Sequence, residues 1–349
     1  MKKFIGSRAL LLDRNKVKVE NSHVFIPFEG DAVFKVIYTT ICGSDLRIME
    51  FGDPRVKYPR TLGHEIVAKV IDAGLREDIR PGEIVSIGAD IPCNSCSFCT
   101  RKMSNLCNKH LAVGYQFDGG LADYLIIPKE YLISAPIVSV KPHMSVAAYA
   151  LSEPLGCVLH GLEYSRVEKH NRLLIFGGGP IGLMIAYTAQ KFFEVSSSDI
   201  LIIEPNESRR EFLRRFEIEV VDKIDIRKLD DENKFDRIFT ATSNSQSHRS
   251  VLEYCRRGAF INFFGGVPRD TPSISLEANL LHYSEICISG SHGSTPRHHE
   301  LATKMIAKDE FFWDSLITLK ISISQFSDVA NIMRSGREMK IAVQLGEIS

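Results

Sequence analysis

The stretch from Arg172 to Gly182 reads RLLIFGGGPIG and joins an almost wholly apolar run to a glycine-rich loop. An apolar segment typical of a helix, residues 183–193, follows directly. A second apolar run, residues 200–203, comes next and ends in Glu204. A strand, a G-x-G-x-x-G loop, a helix, a strand and a terminal acid within about 30 residues form the pattern of a dinucleotide-binding βαβ unit. A glycine-rich turn in another α/β fold is the alternative, and the complete pattern disfavours it.

Each part of this pattern has a physical role. Gly177 makes the tight turn, Gly179 lets the backbone approach a pyrophosphate, and Gly182 lets helix and strand pack closely. The helix N-terminus attracts the phosphates. Glu204 can accept hydrogen bonds from the ribose diol and repels a 2′-phosphate, which favours NAD over NADP. The loop residues predicted to bind the cofactor are Gly177, Gly178, Gly179, Pro180, Ile181 and Gly182.

Downstream of this unit, strand and helix patterns continue to alternate. Strands are predicted over residues 236–241, 259–264 and 285–290, with a helix over 245–257. Such alternation predicts a doubly wound parallel sheet with right-handed crossovers. The remaining segments are predicted as helices over 298–308 and 326–333, and as strands over 316–319 and 341–345.

Upstream, the pattern is mostly β. Short apolar runs separated by turn residues predict a partly closed barrel; they cover residues 34–38, 66–71, 84–87 and 122–127. Near Ser145 the period changes, and helices are predicted over 146–151 and 155–164. Pro154 disfavours the helical region for the residue before it, so a break is expected at Glu153. That break would expose the Glu153 carboxylate.

Three separated segments carry groups that could hold a metal ion. Cys42 lies in a glycine-containing turn, His64 and Glu65 precede an apolar run, and Glu153 lies farther on. One cysteine, one histidine and one or two carboxylates suit a catalytic zinc ion, which keeps a coordination position open. Such an ion polarises an oxygen as a Lewis acid. Taken singly, each residue is more often an ordinary core residue.

Four of the eight cysteines lie in a second cluster with the spacing C-x2-C-x2-C-x7-C, namely Cys93, Cys96, Cys99 and Cys107. Four thiolates fill a tetrahedral shell, so this site is predicted to be a structural zinc site. An iron–sulfur cluster is an alternative, but the bacterial ferredoxin run has three residues before its last cysteine and a proline after it. A nucleic-acid-binding zinc ribbon is a third interpretation, but a second, well-separated C-x2-C is lacking.

Composition limits the class of protein. A chain of 349 residues suggests two domains. With 43 basic and 43 acidic residues, the formal charge is zero, which argues against nucleic acid as the main partner. No apolar window reaches the roughly 18 residues of a membrane span. Arg8 and Asp13 interrupt the N-terminal apolar run, so it is interpreted as a first strand of a cytoplasmic protein and not as a signal peptide.

The order of these motifs resembles that of the zinc-containing medium-chain dehydrogenases, which include alcohol, polyol and threonine dehydrogenases. The matching segments are Cys42-Gly-Ser-Asp, Gly63-His64-Glu65, the four-cysteine lobe, Asp118-Gly-Gly, Glu153-Pro-Leu and the glycine loop. Within the group, the chain is most similar to sorbitol, threonine and galactitol-1-phosphate dehydrogenases. The resemblance implies a GroES-like β-barrel catalytic domain, residues 1–152 with 294–349. It also implies a Rossmann NAD-binding domain, residues 153–293, and a homodimer or homotetramer.

The resemblance also implies roles for the site residues. Cys42 and His64 would bind the catalytic zinc, and Glu65 or Glu153 would complete its shell. Ser44 would take the proton of the substrate hydroxyl. Two zinc ions per subunit and one NAD are expected.

Arg209 and Arg210 open the helix after Glu204 and could reach a phosphate if Glu204 turned away. The more ordinary expectation is that Arg209 stacks on the adenine and Arg210 faces solvent.

We therefore expect an NAD-dependent zinc dehydrogenase of a small polyol or secondary alcohol (EC 1.1.1.-). An NADP-dependent sugar or alcohol reductase of the same fold is one alternative, and a non-enzymatic metal- and nucleotide-binding redox sensor is another. Arg47 stands where many relatives carry a proton-relaying histidine, so it either binds an anionic group or is a surface arginine. The side chains of Tyr115, Phe117 and His292 are candidates for facing the substrate.

Overall fold

The computed structural model describes residues 2–346, which form two compact units. The first runs up to Gly156 and resumes at Gly293, and the second is Cys157–His292. The chain therefore leaves the first unit, builds the second and returns.

In chain order, the strands are β1 (Phe4–Asp13), β2 (Lys16–Phe25), β3 (Ala32–Thr40), β4 (Arg60–Thr61), β5 (Glu65–Asp72), β6 (Ile84–Ile87), β7 (Asp90–Ile91), β8 (Leu111–Ala112), β9 (Tyr124–Ile127), β10 (Ile137–Val140), β11 (Leu173–Phe176), β12 (Ile200–Ile203), β13 (Glu219–Val221), β14 (Phe235–Thr240), β15 (Cys255–Phe263), β16 (Cys287–Gly290), β17 (Ile317–Ser322) and β18 (Lys340–Gln344).

The helices are α1 (Gly43–Phe51), α2 (Ser97–Thr100), α3 (Lys129–Leu132), α4 (Ser152–Tyr164), α5 (Pro180–Phe192), α6 (Glu207–Arg214), α7 (Ser245–Ser250), α8 (Ala278–Tyr283), α9 (Pro296–Ile306), α10 (Glu310–Ser315) and α11 (Val329–Arg334). Short stretches of 3₁₀ helix cover Ser104–Leu106, Ala147–Leu151, Ser197–Asp199, Ile226–Lys228, Val251–Tyr254 and Ile323–Asp328. Among residues 2–346, no helix combines the length and apolar character that a membrane crossing requires.

The first unit is the β-rich barrel that the alternating runs predict. Its larger sheet has the order β10-β6-β5-β3-β18-β17, and β9 also pairs with β3. A second sheet has the order β2-β1-β4. Strand β3 pairs antiparallel with β5 on one side and with β18 on the other. The end of the chain is therefore built into the same sheet as its beginning.

The second unit is a parallel sheet with the order β13-β12-β11-β14-β15-β16. Every pairing in it is parallel, as the alternation of strands and helices predicts. Strand β11 is central, and the strand order reverses beside it. Ligands of open α/β sheets bind at the carboxyl ends of the strands at such a reversal, and the glycine loop starts there.

Several element boundaries differ from the sequence prediction. The predicted helix over 245–257 ends at Ser250, and strand β15 already begins at Cys255. Val251, Leu252 and Tyr254 are apolar, but they fill the core from a 3₁₀ turn. Helix α5 begins at Pro180 and not at 183. Backbone N–H groups in the first turn of a helix have no acceptor within the helix, so a proline there breaks no hydrogen bond.

Candidate active site

Strand ends and a helix start bring one group of metal-binding side chains together in the first unit. Cys42 is the residue before α1, His64 lies between β4 and β5, and Glu65 begins β5. One ligand atom from each of these three side chains lies within 4.8 Å of the others. His64 and Glu65 are buried, and Cys42 is partly exposed. A soft sulfur, an imidazole nitrogen and a carboxylate oxygen converging from separate segments fit a catalytic zinc ion.

Asp45 organises this cluster. One of its oxygens accepts from the Cys42 amide at 2.9 Å, and the other lies 3.3 Å from Nδ1 of His64. The second contact is an ion-pair distance without the alignment of a hydrogen bond. Burial is the largest single influence and opposes charge on His64, but Asp45, Tyr115 and Cys42 together outweigh it and hold the pKa of His64 well above its ordinary value. Asp45 thereby orients the imidazole ring through Nδ1, and the other ring nitrogen, Nε2, could bind a metal ion.

Glu65 has a partner that the sequence patterns did not indicate. The Nζ of Lys340 donates to both carboxylate oxygens of Glu65 at 2.5 Å and to the carbonyl oxygen of Ile41 at 3.2 Å. The hydroxyl of Thr40 also donates to Glu65. A lysine near the C-terminus carries no motif, so only the pairing of β18 with β3 reveals this contact.

Glu153 is buried, which corrects the expectation of an exposed carboxylate at a helix break. Helix α4 begins at Ser152, so Pro154 lies in its first turn, where a missing N–H breaks no hydrogen bond. The side chain of Glu153 therefore points inward, and only 8% of the residue is exposed. Burial raises the pKa of Glu153 to about 7, with His64 opposing the rise and Glu65 adding to it. It lies near the cluster without belonging to the set of three atoms within 4.8 Å.

Ser44 and Tyr115 lie on one side of His64. The Oγ of Ser44 is 3.3 Å from Nε2 of His64. The rings of Tyr115 and His64 have centroids 5.5 Å apart. Desolvation raises the pKa of Tyr115, and the neighbouring His64 lowers it in part. A hydroxyl at Ser44 is thus placed where a substrate proton could be accepted.

Three further residues singled out from the sequence differ in their own burial and contacts. Phe117 stacks on Tyr131, with centroids 6.0 Å apart, and packs against the barrel core. His292 is exposed and ends the second unit. Arg47 lies on the exposed face of α1.

The four-cysteine lobe holds its sulfur atoms at metal-binding spacing. The four atoms all lie within 4.8 Å of one another, and three of the pairs are 3.5, 3.8 and 4.0 Å apart. One tetrahedral zinc ion with Zn–S of about 2.3 Å places its sulfurs about 3.8 Å apart. A four-iron cluster binds each cysteine through a different iron and needs wider spacing. The amides of Cys93 and Lys109 donate to the sulfur of Cys107, as suits a thiolate.

The glycine loop in the second unit has the conformation that its pattern predicts. Gly177 has φ of +100°, a region that favours glycine. A Cβ on Gly182 would lie 1.9 Å from the carbonyl oxygen of Gly177, so no side chain fits where α5 leaves the loop. Beside Gly179, the nearest atom to a built Cβ is a nitrogen of Arg209 at 3.9 Å, which leaves room for a phosphate. A dinucleotide fits this cradle.

Glu204 is anchored at the loop and not turned away from it. Its two oxygens accept from the amides of Gly178 and Asn206, each at 2.8 Å. The Nη1 of Arg209 lies 3.8 Å from the Glu204 carboxylate, at the mouth of the loop. Arg210 donates to the carbonyl oxygens of Glu204 and Pro205 at 2.8 Å, so it is held against the end of β12 and does not face solvent.

Comparison with known proteins supports the same assignment. The family described as the alcohol dehydrogenase GroES-like domain matches residues 29–137. A zinc-type alcohol dehydrogenase-like protein of Haemophilus influenzae is 27% identical over 330 residues, which cover 91% of this chain and 92% of that one. The L-galactonate-5-dehydrogenase of Escherichia coli is 25% identical over 301 residues, with 84% and 85% covered.

Among solved structures, a zinc-binding dehydrogenase of Sinorhizobium meliloti bound to NADP has the same fold. Its TM-score is 0.88 at 23% identity, with 98% of this chain and 99% of that chain covered. The match runs through both units, which agrees with the motif order along the whole sequence. Residues 29–137 therefore match the alcohol dehydrogenase GroES-like domain, and the chain as a whole is similar to zinc-type alcohol and polyol dehydrogenases.

Proposed function

We propose that this protein is an NAD-dependent zinc dehydrogenase that moves a hydride between the CH–OH group of a polyol or secondary alcohol and the nicotinamide. The observation that carries the proposal is the convergence of Cys42, His64 and Glu65 within 4.8 Å. The same chain carries a dinucleotide cradle with an acid at the strand end. The Escherichia coli relative, an L-galactonate-5-dehydrogenase, supports the same reaction class.

Zinc held by Cys42, His64 and one of the two glutamates would supply Lewis acidity that lowers the pKa of a bound hydroxyl. Ser44 would take the hydroxyl proton and release its own to solvent, because its Oγ lies beside the proposed metal-binding nitrogen of His64 and the residue is partly exposed. Asp45 keeps the imidazole oriented, and Lys340 and Thr40 keep Glu65 oriented. NAD supplies the hydride acceptor.

Glu65 and Glu153 differ in their hydrogen bonds and protonation, and this difference affects which of them could complete the set of zinc ligands. Both oxygens of Glu65 are hydrogen-bonded to Lys340. Glu153 has a pKa raised to about 7 and so binds a proton readily near neutrality. To hold the metal, Glu153 would have to lose a proton, whereas Glu65 would have to loosen its contact with Lys340.

The cofactor and its surroundings are part of the proposal. The anchored carboxylate of Glu204 supports NAD over NADP, since a 2′-phosphate would approach a fixed negative charge. The relative bound to NADP keeps an NADP-dependent reductase as the alternative. We further propose two zinc ions per subunit, a homodimer or homotetramer, and a cytoplasmic location. A complete ligand set disfavours a redox sensor without catalysis.

The test is to follow the near-ultraviolet absorbance of reduced nicotinamide with NAD and a panel of polyols and secondary alcohols. We expect reduction of NAD by some members of the panel with the zinc-loaded protein, and none with Cys42→Ser. Failure of every member, with two zinc ions bound, would contradict the proposal. Faster turnover with NADP would instead promote the reductase.

A further inference from the structure

A short loop between α1 and β4 holds Arg55 in a defined position. The backbone amide of Arg55 donates to Oδ1 of Asp53 at 2.9 Å, and the amide of Val56 donates to the carbonyl oxygen of Asp53 at 3.0 Å. Val56 is buried in the core that also contains Met49 and Tyr115. The loop is therefore a turn pinned at both ends, and Arg55 is presented from it with little conformational freedom.

The guanidinium of Arg55 is oriented on two sides. Its Nε and Nη2 donate to the two oxygens of Asp53 at 2.9 and 3.1 Å, the bidentate geometry that fixes a guanidinium plane. That plane lies over the ring of Tyr115, with its carbon 4.2 Å from the ring centroid. Within the described part of the chain, no acceptor is found for Nη1. About a third of the side chain, 34%, remains accessible.

Tyr115 links Arg55 to the zinc-binding cluster. The guanidinium carbon of Arg55 lies 4.2 Å from the centroid of the Tyr115 ring. The ring centroid of His64, a proposed metal ligand, lies 5.5 Å from the same point. Arg55 is thus no farther from His64 than these two steps combined. Several carbon atoms of a polyol would span such a distance from a metal-bound hydroxyl. Two other arginines of this region differ from Arg55: Arg47 lies on the exposed face of α1, and Arg60 donates a hydrogen bond to Asp118.

We propose that Arg55 is a specificity-determining residue that binds the end of the substrate remote from the reacting hydroxyl, and that this end carries an anionic oxygen group. The inference rests on the proposed function, because it describes the second contact point of the same substrate. The unused Nη1 and the accessible third of the side chain offer N–H donors to a carboxylate or a phosphate. Asp53 holds the fork in place, so little rotational entropy is lost when the anion binds.

The acidic neighbours set the limits of this site. Asp53 offsets the charge of Arg55, and Asp90 acts on it from farther away. Asp90 is itself engaged by His110 at 2.8 Å and by the Ser294 amide at 2.9 Å. A carboxylate or a phosphate therefore meets one directed donor and not a broad basic patch. We therefore expect Arg55 to discriminate between substrates, and we do not expect long-range attraction to raise the affinity for anions strongly.

The experiment compares three substrates of matched carbon skeleton with NAD: a neutral polyol, the corresponding aldonate, and the corresponding polyol phosphate. The unmodified zinc-loaded enzyme and Arg55→Ala are each assayed on all three substrates with a single preparation of that protein. Any inactive fraction then cancels in the ratio of kcat/KM values between substrates. Arg55→Lys retains the charge and loses the fork. Lys57→Ala, an exposed cation two positions along the same loop, is the matched control.

We expect Arg55→Ala to lower kcat/KM on one of the two anionic substrates by roughly 30- to 100-fold, mostly through KM, and on the neutral polyol by less than about threefold. Whether aldonate or phosphate suffers the larger loss distinguishes the two sources of the anion. Arg55→Lys should recover part of the loss, and Lys57→Ala should change no ratio.

Equal losses on charged and neutral substrates would overturn the inference and assign Arg55 to packing on Tyr115. A wild-type enzyme that is no better on the anionic substrates than on the neutral one would overturn it as well. Both outcomes require measurable dehydrogenase activity and so leave the proposed function standing. Absence of activity on all three substrates, and on the wider alcohol panel, would count against the proposed function itself.

Discussion

Lys340 donates from its Nζ to both carboxylate oxygens of Glu65, at 2.5 Å each and across 275 positions of sequence. Only 4% of the lysine side chain and none of the glutamate side chain is exposed. Strand β3 makes the contact possible, because Thr40 at its end pairs with Glu65 of β5 and with Ala342 of β18. The last strand of the barrel thus supplies the counter-charge of the proposed zinc site.

Removing the lysine charge should destabilise the first unit. In Lys340→Met, the buried Glu65 carboxylate loses its ionic partner, and breaking a buried pair in this way costs about 3–5 kcal/mol. The free energy of unfolding, measured with denaturant on the zinc-loaded protein, should fall by that order. The double variant Glu65→Gln with Lys340→Met should recover most of the loss, because no unpaired charge remains. A single variant as stable as the unmodified protein would contradict this account of the pair.

The two proposed metal sites should separate by mutation. Cys99→Ser should lower the zinc content from two ions to one and reduce thermal stability, because the free energy of binding a structural metal is partly folding free energy. Cys42→Ser should also remove one zinc ion, but it should abolish activity and leave the melting temperature nearly unchanged. Elemental analysis and thermal melting give both readouts. Iron with labile sulfide in the purified protein would refute the assignment of zinc to the lobe.

Glu204 should control the choice between NAD and NADP. We expect at least about a tenfold preference for NAD in kcat/KM, which corresponds to about 1.4 kcal/mol. Glu204→Ser should weaken or reverse the preference, because it removes the fixed negative charge and leaves Arg209 at the mouth of the loop. Binding of both cofactors should weaken as well, since the Gly178 amide loses its acceptor. Glu207→Ser, an exposed acid at the start of α6, is the control and should not alter the ratio.

His299 should make the stability of the first unit depend on pH. It is 1% exposed, its Nε2 lies 3.3 Å from Ser86 Oγ, and its Nδ1 has no partner among residues 2–346. Burial lowers the pKa of His299 from 6.5 to about 4. The unfolded chain therefore binds an extra proton between these values, and stability falls as pH drops from 6.5 towards 4.

The full extent of this effect is roughly 3 kcal/mol, at about 1.4 kcal/mol per pKa unit. Unfolding free energies measured between pH 4 and pH 7 test it. His299→Phe should flatten the profile in this window, whereas His143→Gln, at an exposed histidine, should not. Identical slopes for His299→Phe and the unmodified protein would show that His299 is not responsible.

The dinucleotide unit shows how much local sequence can determine. A tight turn at Gly177, a close helix–strand approach at Gly182 and an acid at the end of β12 are properties of consecutive residues. The two glycine positions are recognisable because a Cβ atom would be strained at the backbone angles of Gly177 and would clash at Gly182. The cysteine lobe is local in the same sense, because all four sulfurs come from residues 93–107. The motifs therefore indicated both features, together with the order of strands and helices around them.

Contacts between distant strands, in contrast, were decided only by the tertiary structure. The pairing of Lys340 with Glu65 depends on β18 returning to β3, which no local pattern encodes. The burial of Glu153 depends on where α4 begins, and the proline rule alone placed a break there because it did not distinguish a first helical turn from a helix interior. Arg55 carries no motif and becomes notable only because it lies over Tyr115 beside His64. Backbone preference is set by neighbours in sequence, whereas charge pairing, burial and pKa depend on whichever segments the fold brings within a few ångströms.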